Sequence, residues 1–125
     1  MIRLSEEKVK LLYQLMVEAT GGTFGIRDEN LLNSALEGIF QTFNGKYLYP
    51  SKEEKGAMLG YSLISNHAFV DGNKRIGVYV MLTFLEVNGI RIDCSDEELI
   101  TLGLGLAAGE IGYEGFLDWI LDHEA

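Results

Sequence analysis

Apolar positions recur along the chain in short runs at helical spacing, separated by polar caps and glycines. Val9, Leu12, Tyr13, Leu15 and Met16 follow Ser5 in this way, and Glu6 and Glu7 suit a first helical turn. Gly21-Gly22 closes that helix, and Thr23 to Arg27 reads as a connector. Asp28 then caps a second helix whose apolar face is Leu31, Leu32, Ala35, Leu36 and Ile39. The pattern breaks at Phe43-Asn44-Gly45-Lys46-Tyr47, where Asn-Gly between aromatics predicts a β-hairpin. A lone two-stranded hairpin is marginal in water, so this one either packs on the body or serves as a flap. Pro50 and the capping box Ser51…Glu54 open a third helix through Ala57, Met58, Leu59, Leu63 and Ile64.

The run from Val78 to Leu85 shows no polar face, which predicts a helix buried on all sides, stopped by Asn88-Gly89. Its N-terminus opens directly out of the loop Asp71-Gly72-Asn73-Lys74-Arg75. Arg91 to Cys94 is a short extended link, and Ser95…Glu98 is a second capping box. Gly103, Gly105 and Gly109 interrupt the helix it starts, which is expected to be irregular or tightly packed. Phe116, Leu117, Trp119, Ile120 and Leu121 form a last amphipathic helix. The predicted fold is all-α: a compact bundle around a buried central helix, with one small hairpin. Residues 1–125 are expected to form a single domain.

Composition adds exclusions. Hydrophobic residues make up 47% and charged residues 23%, the balance of a soluble globular protein. No apolar run reaches the ~18 residues that suggest a membrane span. Met1-Ile2-Arg3-Leu4 leads straight into Ser5-Glu6-Glu7-Lys8 without a signal pattern, and Cys94 has no second cysteine to pair with. The expected setting is a reducing cytoplasm. Two histidines and one cysteine leave little for a zinc site. The net charge of −9 sits wholly in residues 93–125, which carry nine acids and no Lys or Arg. Direct nucleic-acid binding is therefore not expected, since phosphate contacts need clustered cations. That acidic stretch is either a solvated surface or a steering field for a basic partner.

The chemistry concentrates in residues 67–75. A helix starting near Asn73 presents unpaired backbone N–H groups and its positive dipole end. Gly72 lets the backbone curl into a nest, and Lys74 and Arg75 add cations beside it. Asp71 is either the N-cap of that helix or a carboxylate for Mg²⁺, which takes one or two carboxylates plus substrate phosphates. His67 is either structural or a general base. Together these groups describe phosphoryl or nucleotidyl transfer to a hydroxyl. Gly103-Leu104-Gly105 only echoes a phosphate loop and reads as packing.

His67-Ala68-Phe69-Val70-Asp71-Gly72-Asn73-Lys74-Arg75 resembles the Fic/Doc signature, His-x-Phe-x-(Asp/Glu)-Gly-Asn-x-Arg. Gly25-Ile26-Arg27-Asp28, Phe40-Gln41-Thr42-Phe43 and Leu48-Tyr49-Pro50-Ser51 also look like Doc-type toxins, so the resemblance covers most of the chain. Ala68 stands where Pro is common and Gly72 where some relatives have Ala. Two further departures bear on the branch. Adenylyl-transferring relatives have Gly where Lys74 stands, and a second Arg where Val78 stands.

The resemblance then implies a Doc-like kinase that binds ATP reversed. It would move the γ-phosphate to a Ser/Thr hydroxyl of a target protein, with elongation factor Tu the expected target and translation arrest the result. In that reading His67 deprotonates the hydroxyl, Asp71 holds Mg²⁺ and Asn73 positions phosphate. Lys74, Arg75 and the Gly72 backbone stabilise transition-state charge. The hairpin Phe43, Asn44, Gly45, Lys46, Tyr47 would be a flap pairing with target main chain. Many relatives carry an inhibitory Ser/Thr-x-x-x-Glu-Gly/Asn helix; Ser34-Ala35-Leu36-Glu37-Gly38 is one residue too short to be one. A separate cognate antitoxin is expected to supply the inhibitory Glu, and the acidic C-terminal third is a candidate part of its docking surface. A Fic-type adenylyltransferase using the same His67, and a catalytically silent helical binding module, are the competing readings.

Overall fold

The computed structural model describes residues 1–125, the side chain of Ala107 excepted. The described residues form six helices and one two-stranded antiparallel sheet, the all-α fold with a hairpin that the pattern predicts. In order these are α1 (Glu6–Thr20), α2 (Glu29–Gly38), β1 (Thr42–Phe43), β2 (Lys46–Tyr47), α3 (Lys52–Asn66), α4 (Asn73–Val87), α5 (Asp96–Ala107) and α6 (Tyr113–His123). The helix starts follow local capping chemistry. Ser5 Oγ accepts from the Lys8 amide, and Asp28 accepts from the amides of Asn30 and Leu31. Ser51 with Glu54 and Ser95 with Glu98 complete reciprocal capping boxes.

α4 lies at the centre, packed against α3, α1 and α5, while α3 also carries α2 and α6. Glycines set the α3–α4 approach: a Cβ at Gly77 would stand 2.5 Å from Ile64 Cγ1 and 3.0 Å from the Gly60 carbonyl. Around that contact Leu59, Leu63, Ile76, Met81, Phe84, Leu85 and Phe116 are fully buried. Each such side chain contributes about 1.5–3 kcal/mol by leaving water. At the end of α4 the buried Asn88 donates to Phe84 O and Ile2 O, tying the N-terminal strand of chain to the core.

The hairpin forms as its turn chemistry requires. Asn44 (φ 51°) and Gly45 (φ 77°) both take positive φ, the type I′ condition, and Thr42 faces Tyr47 while Phe43 faces Lys46. The Leu48 amide donates to Gln41 O at 3.0 Å and extends the ladder. Side chains 42–47 are exposed on both faces, so the hairpin projects from the body rather than packing flat on it.

Three expectations need correction. α4 is not buried all round: Tyr79 is 40% exposed, and Leu82 and Thr83 are half-buried. An open groove runs along that side of α4, lined also by α1 and α5. Leu15 and Leu121 are each 48% exposed and belong to no core; Leu15 lines the same groove. α5 runs through Gly103 and Gly105 without a break, so of the two expected outcomes it is not irregular there, and tight packing holds at Gly105 but not at Gly103. A Cβ at Gly105 would stand 2.4 Å from Ile111 Cδ1, whereas one at Gly103 would meet nothing within 4 Å. The Arg91–Cys94 link is extended as expected and pairs with the chain's end: Asp93 N–H donates to His123 O and Ala125 N–H to Arg91 O. Among the described residues no helix is long and apolar enough to cross a membrane.

Candidate active site

Residues 67–75 connect α3 to α4, and the connection is held in shape by hydrogen bonds from three directions. His67 ends α3 in the left-handed conformation (φ 53°, ψ 46°), which costs an L-residue energy unless its surroundings enforce it. Arg27 enforces it by donating from Nε to His67 O at 2.7 Å and from Nη2 to Asn66 O at 3.1 Å. Asn66 anchors the other side, donating to Leu31 O and accepting from the Ala68 amide. The amides of Arg27 and Asp28 both donate to Ala68 O, and the Val70 amide donates to Gly25 O. Ala68 and Phe69 are buried by this strapping, and the Phe69 ring packs on Tyr13 at 4.2 Å. His67 itself is exposed, and among the described residues its hydrogen bonds run through the carbonyl rather than the imidazole.

Asn73 closes the loop from within. Its carboxamide accepts from the Phe69 amide at 3.0 Å and donates to Phe69 O at 2.9 Å, which leaves one amide hydrogen for a ligand. Gly72 is the N-cap of α4, in the left-handed region (φ 78°), and contributes no side-chain cap. The first amides of α4 are therefore left open, the arrangement that suits an anion. A side chain at Gly72 would be strained by its positive φ and would stand 2.9 Å from Met16 Cε and 3.0 Å from Arg75 Nη2, so those two flexible ends would have to shift.

Asp71 is not the N-cap. Its carboxylate accepts from the Thr23 amide at 3.0 Å and the Gly72 amide at 2.8 Å, and its carbonyl accepts from the Tyr13 hydroxyl at 2.8 Å. The Thr23 amide first, then that of Gly72, and Arg75 less, hold the Asp71 carboxyl below the usual carboxylate range. It is an exposed, firmly ionised carboxylate with fixed orientation. Arg75 donates to Thr20 Oγ1 at 2.6 Å and to Gly21 O at 3.1 Å, and so rests on the negative C-terminal end of α1. Lys74 is exposed beside it. Both cations stand at one end of the groove, a cavity of about 960 Å³ that is otherwise walled mainly by apolar side chains of α1, α4 and α5.

The structure thus brings His67, Asp71, Gly72, Asn73, Lys74 and Arg75 onto one loop and helix entrance, and leaves Phe43 to Tyr47 on the separate hairpin. Sequence reasoning missed the supports. Tyr13, Thr23 and Thr20 gave only helix and connector signals, and Arg27 stood in a connector. None of the four bonds is local in sequence, and the nearest spans 39 residues.

The sequence model described as the Fic/DOC family matches residues 3–85, which include the whole of this loop. The chain is also 42% identical over 74 residues to Toxin Doc of Mycolicibacterium smegmatis. That match covers 59% of this chain and spans 57% of the relative's own length. With about two thirds of its residues under the family model, and the signature folded into one anion-ready helix entrance, the chain belongs to the Fic/DOC family.

Proposed function

We propose that this chain is a Doc-like toxin enzyme that transfers the γ-phosphoryl group of ATP to a Ser/Thr hydroxyl of a target protein. The observation that carries the reading is the open N-terminus of α4, with Asp71 fixed and ionised beside it and Lys74 and Arg75 in its first turn. The name of the relative, Toxin Doc, supports the toxin part of it. Elongation factor Tu is the target that the family resemblance implies, and the cytoplasm is where the two would meet.

In this mechanism His67 accepts the proton of the target hydroxyl as its oxygen bonds to the γ-phosphorus, and ADP leaves with the β–γ bridging oxygen. The α4 amides, the Gly72 nest, Lys74 and Arg75 receive the phosphate oxygens, and Asn73 holds the loop while offering its remaining amide hydrogen. Asp71 fits Mg²⁺ in chemistry, being a single ionised carboxylate of the kind that shares the ion with substrate phosphates. Held there, the ion would supply neutralising charge to those phosphates. The hairpin from Phe43 to Tyr47 would align the acceptor by strand addition, for which its exposed edge and side chains are suited. A cognate antitoxin would regulate the site through a segment laid in the adjoining groove, delivering its Glu to the Lys74–Arg75 end.

Two parallel reactions with purified protein, Mg²⁺ and elongation factor Tu test this, one with ATP labelled at the γ-phosphate and one at the α-phosphate. Label from γ alone is the expected result, and His67→Ala lowers it by about 10²–10⁴-fold while the protein stays folded by circular dichroism. Label from α makes the enzyme an adenylyltransferase. A folded, fully active His67→Ala variant removes the general base from the mechanism.

A further inference from the structure

Lys55 is 1% exposed, in the first turns of α3, and no carboxylate pairs with it among the described residues. Burial pushes its ammonium below the usual lysine range, opposed only by the charge of Glu54. An apolar side chain of similar volume would fill the same space but would leave the carbonyls that the ammonium serves without this donor. What the ammonium does touch is specific. It donates to Tyr49 O at 2.5 Å and to Pro50 O at 3.3 Å, the two residues just before the Ser51 cap of α3. It also lies 4.1 Å from the Tyr47 ring centroid and 5.8 Å from that of Phe40, within cation–π reach of both. Tyr47 ends β2 and Phe40 precedes β1. One buried ammonium therefore grips both roots of the hairpin.

Beyond the amides of Phe40 and Gln41, which donate to Glu37 O and Gly38 O at the end of α2, and the Leu48 bond to Gln41 O, the hairpin has little else among the described residues to fix its attitude. Its strands are two residues each, its side chains are exposed on both faces, and isolated hairpins of this size are marginal in water. At its base Tyr49 meets Tyr113 of α6 edge-on at 5.6 Å, and the Arg3 guanidinium lies over the Phe40 ring, 3.8 Å from its centroid. These contacts hold the residues flanking the strands, whereas among the described residues only the Lys55 ammonium joins the two flanks and the Tyr47 ring at a single point.

We infer that Lys55 is the positioning residue of the hairpin, fixing its orientation on α3 and so the edge it would offer to a protein acceptor. The second half rests on the flap reading proposed above, and the two halves have separate readouts. The first is the backbone order parameter of residues 42–48, measured by nitrogen relaxation in the full chain. In Lys55→Met the core is expected to fold, with an unfolding midpoint lowered by the two lost carbonyl bonds. Order in 42–48 falls from about 0.85 to below about 0.6 while the helices keep theirs. Tyr47→Leu, at a half-exposed position, removes the ring from the ammonium without touching the core and lowers the same values by a smaller amount. Unchanged order in a folded Lys55→Met, or in Tyr47→Leu should the first variant not fold, overturns the anchoring role. The second readout uses purified elongation factor Tu as acceptor. Its KM is expected to rise about tenfold in Lys55→Met, with the Kd for ATP held within about twofold. Loosened order with an unchanged acceptor KM keeps Lys55 as the anchor and overturns the flap.

Discussion

Gly22 decides how closely the end of α1 approaches Asp71. A Cβ at this position would stand 2.8 Å from Asp71 Oδ2 and 3.0 Å from Arg75 Nη2, so only glycine lets the next amide, that of Thr23, reach the carboxylate at 3.0 Å. Gly21, one residue earlier, also has positive φ (84° against 109°), yet a Cβ there meets nothing within 4 Å. The pair separates backbone cost from site geometry. Gly21→Ala and Gly22→Ala each lose about 1–3 kcal/mol of stability from the strained backbone, read by urea unfolding. Only Gly22→Ala also displaces Asp71 and Arg75, and its label transfer falls at least about tenfold at saturating ATP. Equal activity losses in the two variants would remove the steric argument. The dipeptide was legible as a helix stop, since a left-handed glycine after the last turn is a local matter. Its second use was not, because it depends on a carboxylate 48 residues away in sequence. The same holds for Tyr13, which shows in the sequence as one more apolar position of α1 and in the structure as the hydroxyl that holds Asp71 O.

Among the elements, α3 and α4 meet through Gly60 and Gly77, and their close approach is what places His67 and Asn73 at the two ends of one short loop. Replacing Gly77 by Ala improves helix propensity by about 1 kcal/mol, but it sets a methyl 2.5 Å from Ile64 Cγ1 and 3.0 Å from Gly60 O. The backbone carbonyl cannot yield without moving α3, so overpacking of about 1–3 kcal/mol outweighs the propensity gain. Gly103→Ala meets no neighbour within 4 Å and should add about 0.5–1 kcal/mol. Opposite shifts of the unfolding midpoint are the expected result, and a stabilised Gly77→Ala would mean the helices sit farther apart. Element limits were largely legible, because caps, capping boxes and the Asn44-Gly45 turn are side chain–backbone chemistry within a few residues. Faces were less so. Periodicity reports which positions are apolar, not whether a neighbour covers them, and so Tyr79 reads as buried and Leu15 as one more apolar position of α1, although both line the open groove.

At the scale of the molecule, the acidic last quarter is held together within itself by one charged contact. α5, which forms one wall of the groove, is tied to α6 by His123, whose Nε2 lies 2.5 Å from Glu98 Oε2 and whose Nδ1 lies 2.7 Å from Trp119 O. Both partners only accept, so the ring satisfies both contacts only as the doubly protonated imidazolium. Stacking on Trp119 at 4.3 Å holds its plane. The Trp119 carbonyl above all, then Glu98 and Asp122, raise the His123 pKa above its usual 6.5, against an opposing effect of burial. The Ser95 amide first, then His123, lower that of Glu98 below its usual 4.5. The signs follow from linkage. A raised imidazole pKa gives stability that is complete below 6.5 and is lost as pH rises through the raised value. A depressed carboxyl pKa gives stability that is present above 4.5 and is lost as pH falls through the depressed value. Between those limits the tie is whole, and above them it weakens. The unfolding midpoint is expected to decline from about pH 6 to about pH 8, below the thiol range of Cys94, whose pKa burial raises. In His123→Gln, which keeps one donor for one partner, the decline should largely vanish, the variant being less stable at pH 6 and nearly equal to the parent at pH 8. The His123 ring proton, followed by NMR, should titrate above 6.5 and track the midpoint. A parallel decline in the variant would assign the pH dependence elsewhere, leaving α5 fixed by its apolar contacts alone. The capping role of Glu98 was legible in Ser95…Glu98; its bond to a histidine 25 residues on was not, since only the closure of α6 brings them together.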